Sequence, residues 1–231
     1  MSPLHNHRLP ALAALALGLM VAAIALIAYV APIDADQGFS QKIFYFHVPV
    51  ALTAYVMFGW GAWKALRRLW RRAEAADLES YVAIHQGVIF GAMTLVTGSI
   101  WAKISWGRWW TWRSHELVVF LVLFLFYAAY FMLRFSVEAG PRRANLSAVY
   151  ALFGVVLVPV SFLAIRLSDD FIHPSPIVLK ASGPDLSGKM LLAFCFAWAA
   201  MLSLAACLYH LELAGKRLDA RLRELREALA S

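Results

Sequence analysis

Charge is scarce in this sequence. Lys, Arg, Asp and Glu together make up 15% of its 231 residues, against ~25% in an average soluble domain. Apolar side chains fill 62% of it, where a soluble domain carries ~45–50%. A soluble globular domain is excluded, and the composition is that of an integral membrane protein. Cysteine is nearly absent. Cys195 and Cys207 share one apolar run and form no CxxC, so no disulfide framework, thiolate metal site or redox motif is present and both read as core filler. No GxSxG or HExxH occurs, and no acid sits in the middle of an apolar run, which argues against hydrolases and against ion-coupled transport. There is no repeat of fixed period and no low-complexity linker, so residues 1–231 read as a single domain.

What the chain has is long apolar runs. About 20 residues of helix cross a hydrocarbon core about 30 Å thick. Six runs meet that length, at about 10–31, 43–63, 81–101, 117–133, 147–167 and 190–210. The first exceeds the ~7–15 residues of a signal-peptide core and reads as a retained span. The fourth is short, and Arg134 at its end is expected to snorkel. Fourteen of the 21 cations fall on one side, in the N-terminus, the connections around 64–80 and 134–146, and the tail. Seven fall on the other side, in 32–42, 102–116 and 168–189 with Arg166 at the span end before it. The positive-inside rule then places both termini in the cytoplasm and those three connections outside. This bias accounts for the net charge of +7 without nucleic acid. The fold class expected is an all-α integral membrane protein with six transmembrane helices. Segments 64–80 and 211–231 read as polar helices. Leu218, Leu222, Leu225 and Leu229 form a stripe at helical spacing that suits a partner helix or the membrane lipid surface.

The outer connection 102–116 contains WGRWWTWRSHE, with four tryptophans in seven positions. His115 ends it. His47, in KIFYFHVPVA, lies near the outer end of the second span, and Pro49 is expected to loosen the helix there. His173 lies in the last outer connection, before Pro174. His5, His7, His85 and His210 read as interfacial polar groups. Two imidazoles on opposite faces of a planar macrocycle would make a six-coordinate haem iron. Tryptophans supply a flat apolar wall, and Lys103, Arg108 and Arg113 supply cations for two propionates. The residues leave a second reading open. Tryptophans also gather at any membrane interface, and Gln86, Thr94, Thr97 and Ser99 of the third span would suit a transporter or channel path. An enzyme built on the outer histidines with Asp169, Asp170 or Glu116 shows no constellation.

The stretch WGRWWTW, 106–112, resembles the tryptophan-rich WWD signature of the haem-handling proteins of cytochrome c maturation. Trp106, Gly107, Trp109, Trp110 and Trp112 match it in order, as do the upstream run LVTGSIWAKISWG and the run IFYFHVPVA around His47. Length and span number resemble the smallest group of that family, the CcmC-like proteins, over about residues 15–210. The resemblance implies a non-enzymatic role. Haem b, held non-covalently and transiently at the extracytoplasmic face of the bacterial inner membrane, would sit between His47 and His173 against Trp106–Arg113. It would pass to a membrane-anchored haem chaperone (CcmE-like), assisted by an ATP-binding-cassette pair (CcmA/CcmB-like) and a small single-span protein (CcmD-like). The family has Asp where Arg113 stands. That change adds a propionate contact or removes a capping or docking contact. His173 is assigned by its place in the loop, and His115 is the substitute ligand.

Overall fold

The structure is a computed structural model that describes residues 8–33, 37–167 and 186–230. Six helices carry the described chain: α1 (Arg8–Tyr29), α2 (Phe44–Arg71), α3 (Ala75–Trp106), α4 (His115–Ser136), α5 (Pro141–Leu167) and α6 (Gly188–Ala230). A 3-10 turn at Phe39–Ile43 leads into α2. All six helices are long and apolar enough to cross a membrane, as the hydropathy pattern predicts.

Several helices outrun their apolar runs. α2 continues past residue 63 to Arg71, and α6 continues past residue 210 to Ala230. Lys, Arg, Leu, Glu and Ala are strong helix formers, and α2 stops only where Arg72 turns left-handed at φ 51°. α3 extends in both directions. It ends at Gly107, whose φ of +74° suits a residue without Cβ. The Gly107 N–H bonds Lys103 O at 3.1 Å, and Lys103 Nζ donates to Gly107 O at 3.0 Å. The tryptophan connection therefore contracts from 102–116 to 107–114. Lys103 and Trp106 belong to α3, and His115 opens α4.

α2 is the central helix and packs on α3, α5 and α6. Its seam with α3 is close because glycines line it. A Cβ on Gly61 would lie 2.7 Å from Ile84 Cγ1, and one on Gly87 2.6 Å from the Phe58 ring. Ser80 Oγ donates to Gly61 O at 2.8 Å across the same seam. Small residues permit such approach where lipid offers no hydrophobic drive between helices. Phe58 stacks on Tyr127 of α4 at 4.0 Å. α1 lies on α6 through Ala23, Ala197 and Ala200, and Lys42 Nζ closes its last turn by donating to Ile27 O at 2.7 Å.

The end of the bundle holding Arg71 is stapled by ion pairs. Lys64 meets Glu79 at 2.8 Å, and Arg217 meets the same carboxylate at 3.4 Å. Arg134 does not snorkel as expected. It is buried and grips Asp77 with both nitrogens, at 2.8 and 2.7 Å. Asp77 in the first turn of α3 and Arg134 in the last turn of α4 each sit at the helix end their charge favours. His85 is no bland interfacial group either. Its Nδ1 lies 2.9 Å from both Glu212 oxygens, and Gln86 Nε2 donates to Glu212 at 2.7 Å. Cys195 is exposed on the helix surface rather than filling the core, and Cys207 is half-buried.

Breaking the Arg134–Asp77 pair strands a carboxylate. Arg134→Ala should cost about 3–5 kcal/mol, read as a lower Tm of the detergent-purified protein. The double variant Arg134→Met/Asp77→Leu should lose clearly less, and an unchanged Tm in the single variant would contradict the pairing.

Candidate functional site

His47 stands on the first turns of α2, and α2 runs on through Pro49 without ending. The half-buried imidazole faces α3 rather than an open cavity. A Cβ on Gly98 would sit 2.9 Å from His47 Cε1, so the ring occupies space that only glycine leaves. His47 Nδ1 lies 2.9 Å from Thr97 Oγ1. The Thr97 hydroxyl has one proton, and it donates that proton to Met93 O at 2.8 Å, shared with Thr94 O at 3.2 Å. With that proton on the α3 backbone, Thr97 meets His47 as an acceptor, the arrangement in which Nδ1 carries the ring proton. The backbone of α3 thus orients the His47 ring through Thr97.

Aromatic surface continues from this point. Trp101 lies one turn beyond Gly98 on α3, buried, and meets Trp106 edge-on at 5.1 Å. Past Gly107, Trp110 and Trp112 meet edge-on at 5.6 Å. Trp109 and Trp112 are 59% and 73% exposed. The loop is tied at both ends: Lys103 holds Gly107, and Ser114 Oγ donates to Glu116 Oε2 at 2.5 Å. Ser114 and Glu116 are buried at the start of α4. Between those ties, Arg108 and Arg113 are exposed and pair with no carboxylate among the described residues. Trp110 Nε1 is buried with no acceptor there.

Of the site residues expected from the sequence, His47, Trp106, Gly107, Arg108, Trp109, Trp110, Trp112 and Arg113 lie within the described residues. The tryptophan residues and arginines form one continuous segment leading off the helix that seats His47. His115 is exposed as the first residue of α4. His173, with Asp169, Asp170 and Lys180, lies outside the described residues, as do His5 and His7. Thr97 and Gly98 are site residues that sequence reasoning misses. The transporter reading makes Thr97 a path-lining polar group, but its hydroxyl is spent on the helix backbone and His47. Thr94 likewise bonds Phe90 O at 2.9 Å. The signal is present as the Thr-Gly pair in LVTGSIW, a polar residue beside a glycine inside a span.

The chemistry of this set suits a flat, anionic metal complex. Among the described residues no three His, Cys, Asp or Glu side chains cluster. A lone imidazole suits an ion that brings its own equatorial nitrogens, as haem iron does. The two unpaired guanidiniums and the orphaned Trp110 N–H are donors that carboxylates would answer.

Six apolar helices, with an aromatic loop and an oriented histidine at one end, define a multi-pass membrane protein. A family model described as heme exporter protein C matches residues 1–228, and the chain belongs to that family. It is 33% identical over 159 residues to heme exporter protein C of Paracoccus denitrificans, covering 69% of this chain and 66% of that one. It is 32% identical over 222 residues to the Bradyrhizobium diazoefficiens protein of the same name, covering 94% and 80%. A putative cytochrome c biosynthesis ccmC-like mitochondrial protein of Marchantia polymorpha is 27% identical over 190 residues, covering 82% and 79%. The chain is thus a multi-pass protein of the inner-membrane type.

Nitrogen NMR on histidine-labelled protein should find His47 protonated at Nδ1. Thr97→Val should bring in the Nε2–H form. An Nε2–H imidazole in the unaltered protein would contradict the hydrogen-bond assignment.

Proposed function

We propose that the whole chain is one haem-handling domain that holds haem non-covalently at the His47 end and delivers it for cytochrome c maturation. The observation that carries this reading is the seat of His47 on Gly98 and Thr97, at the end of α3 from which the tryptophan loop departs. His173, in the connection between α5 and α6, would supply a second imidazole. Trp106, Trp109, Trp110 and Trp112 face the porphyrin. Arg108, Arg113 and the Trp110 N–H take the propionates, and Gly107 sets the angle at which the loop leaves α3. The relatives' printed names, heme exporter protein C, support haem as the cargo. The cation bias supports an extracytoplasmic site.

Delivery needs release. The ring proposed here rests on a loop with exposed tryptophans rather than in the bundle core, so a receiving protein can reach it. The recipient is a membrane-anchored haem chaperone. An ATP-binding-cassette pair and a small single-span protein assemble around the chain, which itself makes and breaks no bond in the cargo. Arg113 replaces an acid and adds a propionate contact.

Protein purified from haem-replete cells should show a Soret band of bis-histidine character. His47→Ala and His173→Ala should each lower haem retention by at least about tenfold, while His115→Ala keeps it. Acidification should release haem as the imidazoles take up protons. A haem-free wild-type protein, or retention lost only with His115→Ala, would overturn the assignment.

A further inference from the structure

At the far end of α2 from His47, one face carries a second unusual set. Trp63, Arg67 and Trp70 recur at i, i+4 and i+7, with Leu66 and Arg71 beside them, so all five share one side of the helix. They line a cavity of about 270 Å³. Trp63 and Trp70 are 52% and 79% exposed. Lys64 and Arg217 are paired with Glu79, Arg134 with Asp77, and Lys216 with Glu212 at 3.7 Å. Arg67 and Arg71 meet no carboxylate among the described residues, and no acid lines the cavity. Next to them Arg68 buries its Nε without an acceptor there.

The depth of this face decides what meets it. At 1.5 Å per residue, Arg67 and Arg71 lie about 30 and 36 Å along the axis from His47. The hydrocarbon core is about 30 Å thick. With His47 at one boundary, both guanidiniums fall in the headgroup layer of the opposite leaflet, and the two indoles flank it where tryptophan prefers to lie. A guanidinium fork matches two phosphate oxygens. With no carboxylate present, nothing on this face favours the ammonium of a zwitterionic headgroup.

We propose that Trp63, Arg67, Trp70 and Arg71 form a binding site for the phosphodiester headgroup of an anionic phospholipid. Arg67 and Arg71 hold the phosphate, the indoles bracket the glycerol, and Leu66 lies along the first acyl carbons. The proposal does not depend on the haem reading.

The test is native mass spectrometry of the full-length, delipidated protein with phosphatidylglycerol, phosphatidylcholine or glycerol phosphate at equal concentration. Phosphatidylglycerol should bind at least tenfold more tightly than phosphatidylcholine, and glycerol phosphate should not be retained. Arg67→Gln/Arg71→Gln should remove that preference, and Trp70→Ala should weaken it. Arg223→Gln/Arg226→Gln, on the exposed end of α6, should leave it unchanged and controls for net charge. An unchanged Tm in phosphatidylcholine micelles checks that the variants fold. Equal binding of the two lipids overturns the proposal, as does an unaltered preference in the Arg67/Arg71 variant. Retention of glycerol phosphate as tightly as lipid makes this a soluble-anion site and overturns the lipid assignment. A co-purifying protein that displaces phosphatidylglycerol in proportion to its occupancy makes the face a protein interface and does the same.

Discussion

The close approach of α2 to α3 is the constraint on which the rest of the structure depends. Three glycines of the two helices mark it. Gly61 accepts Ile84, Gly87 accepts the Phe58 ring, and Gly98 accepts the His47 imidazole. In a bilayer, helices gain little from hiding apolar surface from one another, so association rests on contact and interhelical hydrogen bonds. A Cβ at any of these positions would hold the helices apart. The hydrogen bond from Ser80 to Gly61 O would stretch at one end, and the Thr97–His47 bond at the other. The candidate site is the last contact of the seam, and its geometry is set by the same packing that builds the bundle.

The two ends of the bundle use different means. At the arginine end, ion pairs fasten α2, α3, α4 and α6 to one another through Glu79, Asp77 and Glu212. At the histidine end, the 107–114 loop is tied at its roots, and Trp109, Trp112, Arg108 and Arg113 are exposed. A fixed scaffold below an exposed loop suits a protein that must hold a ligand in one orientation and then surrender it. Arg67 and Arg71 meet no carboxylate among the described residues, which suits the headgroup site proposed for them.

Much of this was legible in the sequence. Six apolar runs give six helices, because a run of that length has no other way to satisfy its backbone in lipid. Hydropathy counts apolar residues, however, and does not see where a helix stops. It ends the second span before Lys64, whereas the backbone continues until Arg72 turns left-handed. The tryptophan loop is visible as a motif, but its true length depends on Gly107 capping α3. What stayed hidden was pairing across distance. Arg134 looks like a snorkelling cation because Asp77 is 57 residues away. Thr97 looks like a path-lining hydroxyl because its partner His47 is 50 residues away. The Thr-Gly pair in LVTGSIW marks a close approach but not its partner, and both pairings appear only once the helices are placed side by side.

In the proposed site, α3 orients the His47 imidazole toward haem iron through Thr97. The most direct test is haem titration of the apo protein beside Thr97→Val, a change that keeps the shape and removes the acceptor. Loss of such an orienting partner costs about 10- to 100-fold in metal affinity. A weakening of that order, with the Soret position kept, is the predicted result. Equal affinity in the two proteins would contradict the account.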